Sequence, residues 1–159
     1  MSVHRPPPCS SGHRVFEQSR QWLPWTCGSI TVQMALEHYG LDVHPVVLQA
    51  LLLTNPITGT FFASMARLFR AYGLGARLRS CLGYWETKRI LGSGGLVLAS
   101  VDEGSHVGVI YAAKRSHVWF ADPSIEKQNR PRVPWSDFST RFDGEALVVS
   151  SSRYACVCE

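Results

Sequence analysis

Gln21-Trp22-Leu23-Pro24-Trp25-Thr26-Cys27-Gly28-Ser29-Ile30-Thr31-Val32-Gln33-Met34-Ala35-Leu36-Glu37-His38-Tyr39 is the stretch around which the chain is organised. After Pro24 it reads as a helix. Thr26 is the expected N-cap, apolar Ile30, Met34, Ala35 and Tyr39 recur at helical spacing on one face, and Gly40 closes the pattern. Cys27 therefore falls in the first turn. A thiol there stands at the positive end of the helix dipole, beside backbone N–H groups that have no helical partner, which favours the thiolate. Gly28 leaves no side chain to obstruct a carbonyl approaching the sulfur. A Cys-Gly pair by itself is equally the mark of a buried cysteine and a packing glycine, so the rest of the chain has to decide.

The composition narrows the field. At 159 residues, with 45% of them apolar, the chain suits one domain with its own core. A net charge of +4 from scattered Lys and Arg makes no basic stripe, so nucleic acid is not an expected partner. Five cysteines at irregular spacing (Cys9, Cys27, Cys81, Cys156, Cys158) do not form a disulfide framework, and a reducing compartment fits them best. Residues 1–14, with Pro6-Pro7-Pro8, read as a disordered arm without the apolar core of a signal peptide. The most apolar run, Val46 to Leu53, is too short to span a bilayer, so the expected location is the cytoplasm. The folded domain is expected over residues 15–150, with 151–159 as a tail.

Two halves of different character follow one another. Helices are predicted from Cys27 to the Gly40 stop, from Pro45 to Leu53 and from Phe61 to Tyr72, the last with Phe61, Phe62, Met65, Leu68, Phe69 and Tyr72 as an apolar stripe and Arg67 and Arg70 turned away. Past Gly73 the period becomes that of strands. These are predicted at Ala76–Arg79, Gly95–Val101, His106–Tyr111, Ser116–Ala121 and Ala146–Ser150, with short helices at Trp85–Leu91 and Pro134–Phe142. The 106–111 and 116–121 runs, joined through 112–115, read as a hairpin that Asp122-Pro123-Ser124 ends. The fold class is α+β, a helical subdomain packed on an antiparallel sheet.

In that hairpin His106 opens one strand and Asp122 follows the other, so antiparallel pairing brings them to the same sheet edge. A carboxylate can orient an imidazole, leaving the other ring nitrogen for a thiol proton. Singly, His106 reads as an ordinary histidine and Asp122 as a turn former before proline. With Cys27 they complete a nucleophile, a base and an orienting group. An oxyanion donor is the remaining need, and a side-chain amide upstream of the cysteine suits it, with Gln21 and Gln18 as competing candidates. Cys156-x-Cys158 with Cys9 and His13 is tighter than a zinc knuckle, and Gly92-Ser93-Gly94-Gly95 lacks the lysine of a phosphate loop. No metal and no cofactor are expected.

Gln21-x5-Cys27-Gly28, the helix end from Met34 to Tyr39-Gly40, His106 at a strand start and the Asp122-Pro123-Ser124 turn together resemble the C39 peptidases. These are papain-like cysteine proteases that remove leader peptides from bacteriocin and related precursors. The likeness runs from about Arg20 to Ser150 and takes in Gly59-Thr60, Tyr72-Gly73-Leu74 and Phe138 through Val148. It implies a papain-like fold, Cys27 as nucleophile, His106 as general base and acid, Asp122 as orienting carboxylate and Gln21 as oxyanion donor. Trp25, Gly28, Ser105 and Val107, beside the nucleophile and the base, would line the substrate cleft. The implied substrate is a ribosomally made precursor whose leader ends in Gly-Gly or Gly-Ala and binds partly as an amphipathic helix on a shallow apolar groove.

An ABC-type peptide exporter is the second partner implied, either separate from a free-standing protease or part of a chain from which this domain is cut. Thr26 departs from the acidic or amide residue common before the cysteine, which bears on substrate preference. Two other functions share the fold: a module that binds leaders without cutting them, and a thiol enzyme that transfers the acyl group to an amine.

Overall fold

In a computed structural model of the chain, residues 23–124 and 132–151 are described. Three helices come first, α1 (Cys27–His38), α2 (Pro45–Leu52) and α3 (Phe62–Ala71). Then come β1 (Leu74–Arg79), α4 (Tyr84–Gly92), β2 (Leu96–Val101), β3 (His106–Lys114), β4 (His117–Ala121), β5 (Arg132–Pro134), α5 (Trp135–Phe138) and β6 (Phe142–Ser151). The strands form one antiparallel sheet in the order β1-β6-β2-β3-β4-β5. This is the predicted α+β plan. It has a further layer, because α4 and α5 cover the face of the sheet opposite α1–α3.

The alternation of side chains along β2 explains the two layers. Leu96 and Leu98 face one core with Ile30, Met34, Leu36 and Phe69, whereas Val97, Ala99 and Val101 face a second with Phe120 and Phe138. Every residue of β2 is buried, as a central strand covered on both sides requires.

Helix α1 differs from its predicted one-sided pattern. Gly28, Ser29, Ile30, Thr31, Val32, Met34, Ala35 and Leu36 are all buried, so the helix is enclosed on most of its circumference by β3, α2 and their neighbours. Its small polar residues are satisfied internally: the Ser29 hydroxyl donates to the Thr26 carbonyl at 3.0 Å, and Thr31 Oγ1 donates to the Val107 carbonyl at 3.1 Å. At its far end the Tyr39 hydroxyl donates to the Val149 carbonyl of β6 at 2.9 Å, and burial pushes that phenol well above its usual range. Two side-chain bonds thus fix the helix against the sheet.

Thr26 stands at the N-cap position, but its hydroxyl donates back to the Leu23 carbonyl at 2.8 Å and makes no cap bond. The hairpin turn is tighter than predicted. Arg115 and Ser116 alone connect β3 to β4, both with positive φ (50° and 61°), the conformation whose twist matches that of the strands. The last helix is shorter, a single turn at Trp135–Phe138, because the chain from Phe142 is drawn into β6 against Val101. In α3, Met65, Leu68 and Phe69 are buried as predicted, Phe61 is left exposed, and Arg70 folds back to donate to the Ala76 carbonyl through Nη2 at 2.6 Å.

Candidate active site

Each part of the site is held by a different element. Cys27 is the first residue of α1 and is half-buried with a free thiol. His106 begins β3, and Asp122 follows directly on β4, where only 3% of it is exposed. The hairpin register aligns Val109 with Ala121, and from there both strands run to the same edge. There His106 Nε2 meets Asp122 Oδ1 at 2.5 Å. The same carboxylate oxygen accepts the Ser124 backbone N–H at 2.9 Å, a turn contact that fixes its orientation.

With Nε2 held by Asp122, Nδ1 is the nitrogen left for the sulfur of Cys27, which is close enough to act on the titration of the imidazole. Burial acts to lower the His106 pKa. The bonds to Asp122 and to Cys27 act the other way and prevail, so the imidazole is pushed from 6.5 up to about 9 and carries its proton at neutral pH. A cationic imidazole between a carboxylate and a cysteine sulfur is equipped to give a proton to a group that leaves beside the sulfur.

Close approach of backbones keeps this edge narrow. A Cβ on Gly108 would stand 2.5 Å from Phe120 Cζ and 2.6 Å from the Ala121 carbonyl oxygen, so only glycine lets β3 and β4 pair this closely just before Asp122. Gly28 is likewise a packing glycine. The space a Cβ would take there is filled by Thr60 Cβ at 2.5 Å and Met65 Cε at 2.9 Å, so its missing side chain serves the contact of α1 with the segment entering α3.

The other residues predicted at the cleft divide. Trp25 is half-buried next to the start of α1. Ser105 is exposed, and its hydroxyl donates to the Asp102 carbonyl at 2.6 Å, which closes the turn ahead of His106. Val107 is buried in the core shared with α1, against which Cys27 also packs. Gln21 and Gln18 lie outside the described residues, as do Cys9, His13, Cys156 and Cys158. So does the arm expected over 1–14, and so does the expected tail apart from Ser151, which ends β6. Among the described residues no group of His, Cys, Asp and Glu is arranged to hold a metal ion, and no helix is long and apolar enough to cross a membrane.

Two neighbours of the site were not singled out by sequence. Arg141, just before β6, pairs with Asp102 through Nε–Oδ1 at 2.8 Å and Nη2–Oδ2 at 2.7 Å, and its Nη2 lies 3.8 Å from Asp122 Oδ2. Thr31 bonds to the carbonyl of the residue after His106. Nothing in a lone Arg after Thr140, or a lone Thr within a helix, signals such contacts.

The family model described as the peptidase C39 family matches residues 17–153. Among solved structures, the peptidase domain of Streptococcus ComA, a bi-functional ABC transporter involved in a quorum-sensing pathway, is similar at 15% identity over 86% of this chain and 99% of that one, with a TM-score of 0.71. A double-glycine-motif protease from an AMS/PCAT transporter, solved with its leader peptide, is similar at 19% identity over 86% of this chain and 91% of that one, again with a TM-score of 0.71. The N-terminal peptidase C39-like domain of the toxin secretion ATP-binding protein from Vibrio parahaemolyticus has 19% identity over 81% and 97% of the two chains, with a TM-score of 0.54. At these identities the structures speak to the fold. No curated protein matches the sequence.

Proposed function

This chain belongs to the peptidase C39 family, and we propose that it is a cysteine endopeptidase that removes the leader from a ribosomally made precursor peptide, cutting after a double-glycine-type motif. The observation that carries this reading is the meeting of His106 with both Asp122 and Cys27 at the start of α1. Cys27 is the nucleophile. It attacks as the thiolate, its proton being the one that His106 carries: the sulfur bonds to the carbonyl carbon of the scissile peptide, and the carbonyl electron pair moves onto oxygen. That oxyanion is stabilised by the backbone N–H of Cys27, at a helix start, and by the side-chain amide of Gln21.

The His106 imidazolium then passes its proton to the departing amine as the C–N bond breaks. The neutral imidazole takes a proton from water, whose oxygen displaces the sulfur and frees the new carboxyl end. Asp122 holds the ring through Nε2 in both steps.

Recognition of the leader is assigned to the exposed apolar side chains of the early helices, Val46, Val47 and Leu51 on α2 with Leu53 and Phe61 beyond it. An amphipathic leader helix laid on them would bury surface that otherwise faces water. The fold shared with peptidase domains of ABC transporters supports such an exporter as second partner, and the free thiols of Cys27 and Cys81 suit the cytoplasm. Incubation with a precursor whose leader ends in Gly-Gly, followed by mass spectrometry, tests the reading. Leader and core peptides released by a cut after the second glycine support it. A precursor that binds and stays whole, or one recovered joined to an added amine, overturns it.

A further inference from the structure

The turn from Asp102 to Ser105 joins β2 to β3 and delivers the chain to His106. Asp102, Glu103 and Gly104 all have positive φ (56°, 60° and 77°), and two of them carry a Cβ that disfavours this conformation. Such a backbone persists where its surroundings over-determine it. Asp143 of β6 accepts bonds from the Ser100 hydroxyl at 2.7 Å and from the N–H groups of Glu103 and Gly104 at 2.9 and 2.7 Å. Arg141 adds the fork onto Asp102, and its own carbonyl accepts the Asp102 N–H at 2.8 Å. One guanidinium therefore grips the turn before His106 while its Nη2 stands 3.8 Å from the carboxylate that bonds His106.

We propose that Arg141 is a positioning residue for the Cys27–His106–Asp122 group, coupling the strained turn that leads into His106 to the carboxylate that orients it. Only the kinetic part of this inference rests on the peptidase reading. A planar fork can hold one carboxylate on two atoms while facing another; an ammonium cannot do so with fixed geometry. The buried Asp122 anion also needs positive charge nearby, and the Arg141 guanidinium, its pKa raised further chiefly by the bond to Asp102, keeps its proton throughout.

Arg141 influences the imidazole in two opposed ways. As a cation it disfavours the charged ring; as a clamp it keeps Asp122 Oδ1 on Nε2 and so favours it. Among the described residues the groups that bear on His106 are Cys27 from α1, Asp122 after β4 and, behind Asp122, Arg141 with its partner Asp102. A positioning role requires the clamp to outweigh the charge, and the direction of the His106 titration separates the two.

The test uses the full chain with the other four cysteines changed to serine. His106 is titrated by NMR of its ring nitrogens, and Cys27 is alkylated by iodoacetamide across pH, in Arg141→Gln, Arg141→Lys and Asp102→Asn. The expected result in Arg141→Gln is a His106 midpoint lowered by at least about one unit from near 9, with the alkaline limb of alkylation lowered equally. Arg141→Lys should recover less than half of that shift, and Asp102→Asn should move it the same way. With a cleavable precursor, kcat falls roughly tenfold and KM changes less than about twofold. An unchanged or raised midpoint in folded Arg141→Gln overturns the proposal. If that variant does not fold, Asp102→Asn decides by the same titration. Absence of cleavage by the parent protein would refute the peptidase reading and leave the titration result standing.

Discussion

Thr31 Oγ1 donates to the backbone carbonyl of Val107 at 3.1 Å, and this one bond ties the helix that begins at Cys27 to the strand that begins at His106. Thr31 lies one turn beyond the cysteine, and Val107 follows the histidine. The bond is buried and spans two halves of the chain that are distant in sequence. Thr31→Val, close to isosteric, leaves the Val107 carbonyl without this donor. It should cost about 1–3 kcal/mol in urea unfolding and slow alkylation of Cys27 by iodoacetamide, whereas Thr31→Ser should keep most of both.

Cys27→Ala should abolish precursor cleavage. The thiol is half-buried and makes no structural bond to a second cysteine, so the melting temperature should stay within a few degrees. Residual cleavage at more than about one-thousandth of the parent rate would be incompatible with a nucleophilic role.

The pH dependence of stability follows from His106. Its pKa in the folded protein, about 9, is above the ordinary 6.5, so the imidazolium bound to Asp122 and Cys27 stabilises the fold fully below about pH 6.5. That contribution is lost as pH rises through 9. Urea unfolding between pH 6 and 9.5 should show a decline on the order of 3 kcal/mol, and Asp122→Asn should flatten it, because the main group that raises the pKa is then neutral. A decline of the same size in Asp122→Asn would assign the effect elsewhere.

Gly108→Ala should damage both the fold and the site. Its Cβ would meet the Phe120 ring and the Ala121 carbonyl at distances that atoms do not adopt, and the carbonyl belongs to backbone that cannot swing aside. A loss of at least about 2 kcal/mol is expected, with a greater loss of cleavage than the unfolded fraction explains, because Asp122 is the next residue after Ala121. Thermal melting and cleavage measured on the same sample check both.

The elements with a clean local period were legible in the sequence. The three early helices, the hairpin and the convergence of His106 with Asp122 follow from apolar spacing and from strand ends meeting across an antiparallel pair. What was not legible depends on contacts between distant segments. Phe142 reads as the end of a helix, because nothing local says that Val101 of β2 is there to pair with it. The enclosure of α1 was hidden since Ser29 and Thr31 look like a polar face until their hydroxyls are seen bonded to buried carbonyls. The crowding at Gly28 was hidden for the same reason: its partners, Thr60 and Met65, are more than thirty residues away.

The sulfur travels with the helices and the imidazole with the sheet, and the two meet only across the seam that Thr31 and Tyr39 close. Gly73, exposed and with φ of 79°, is the joint between them. On the peptidase reading, a chain cut there would yield two inert fragments, each holding part of the proposed reaction centre. Bringing them together by fused partners would make turnover itself the signal that they had met.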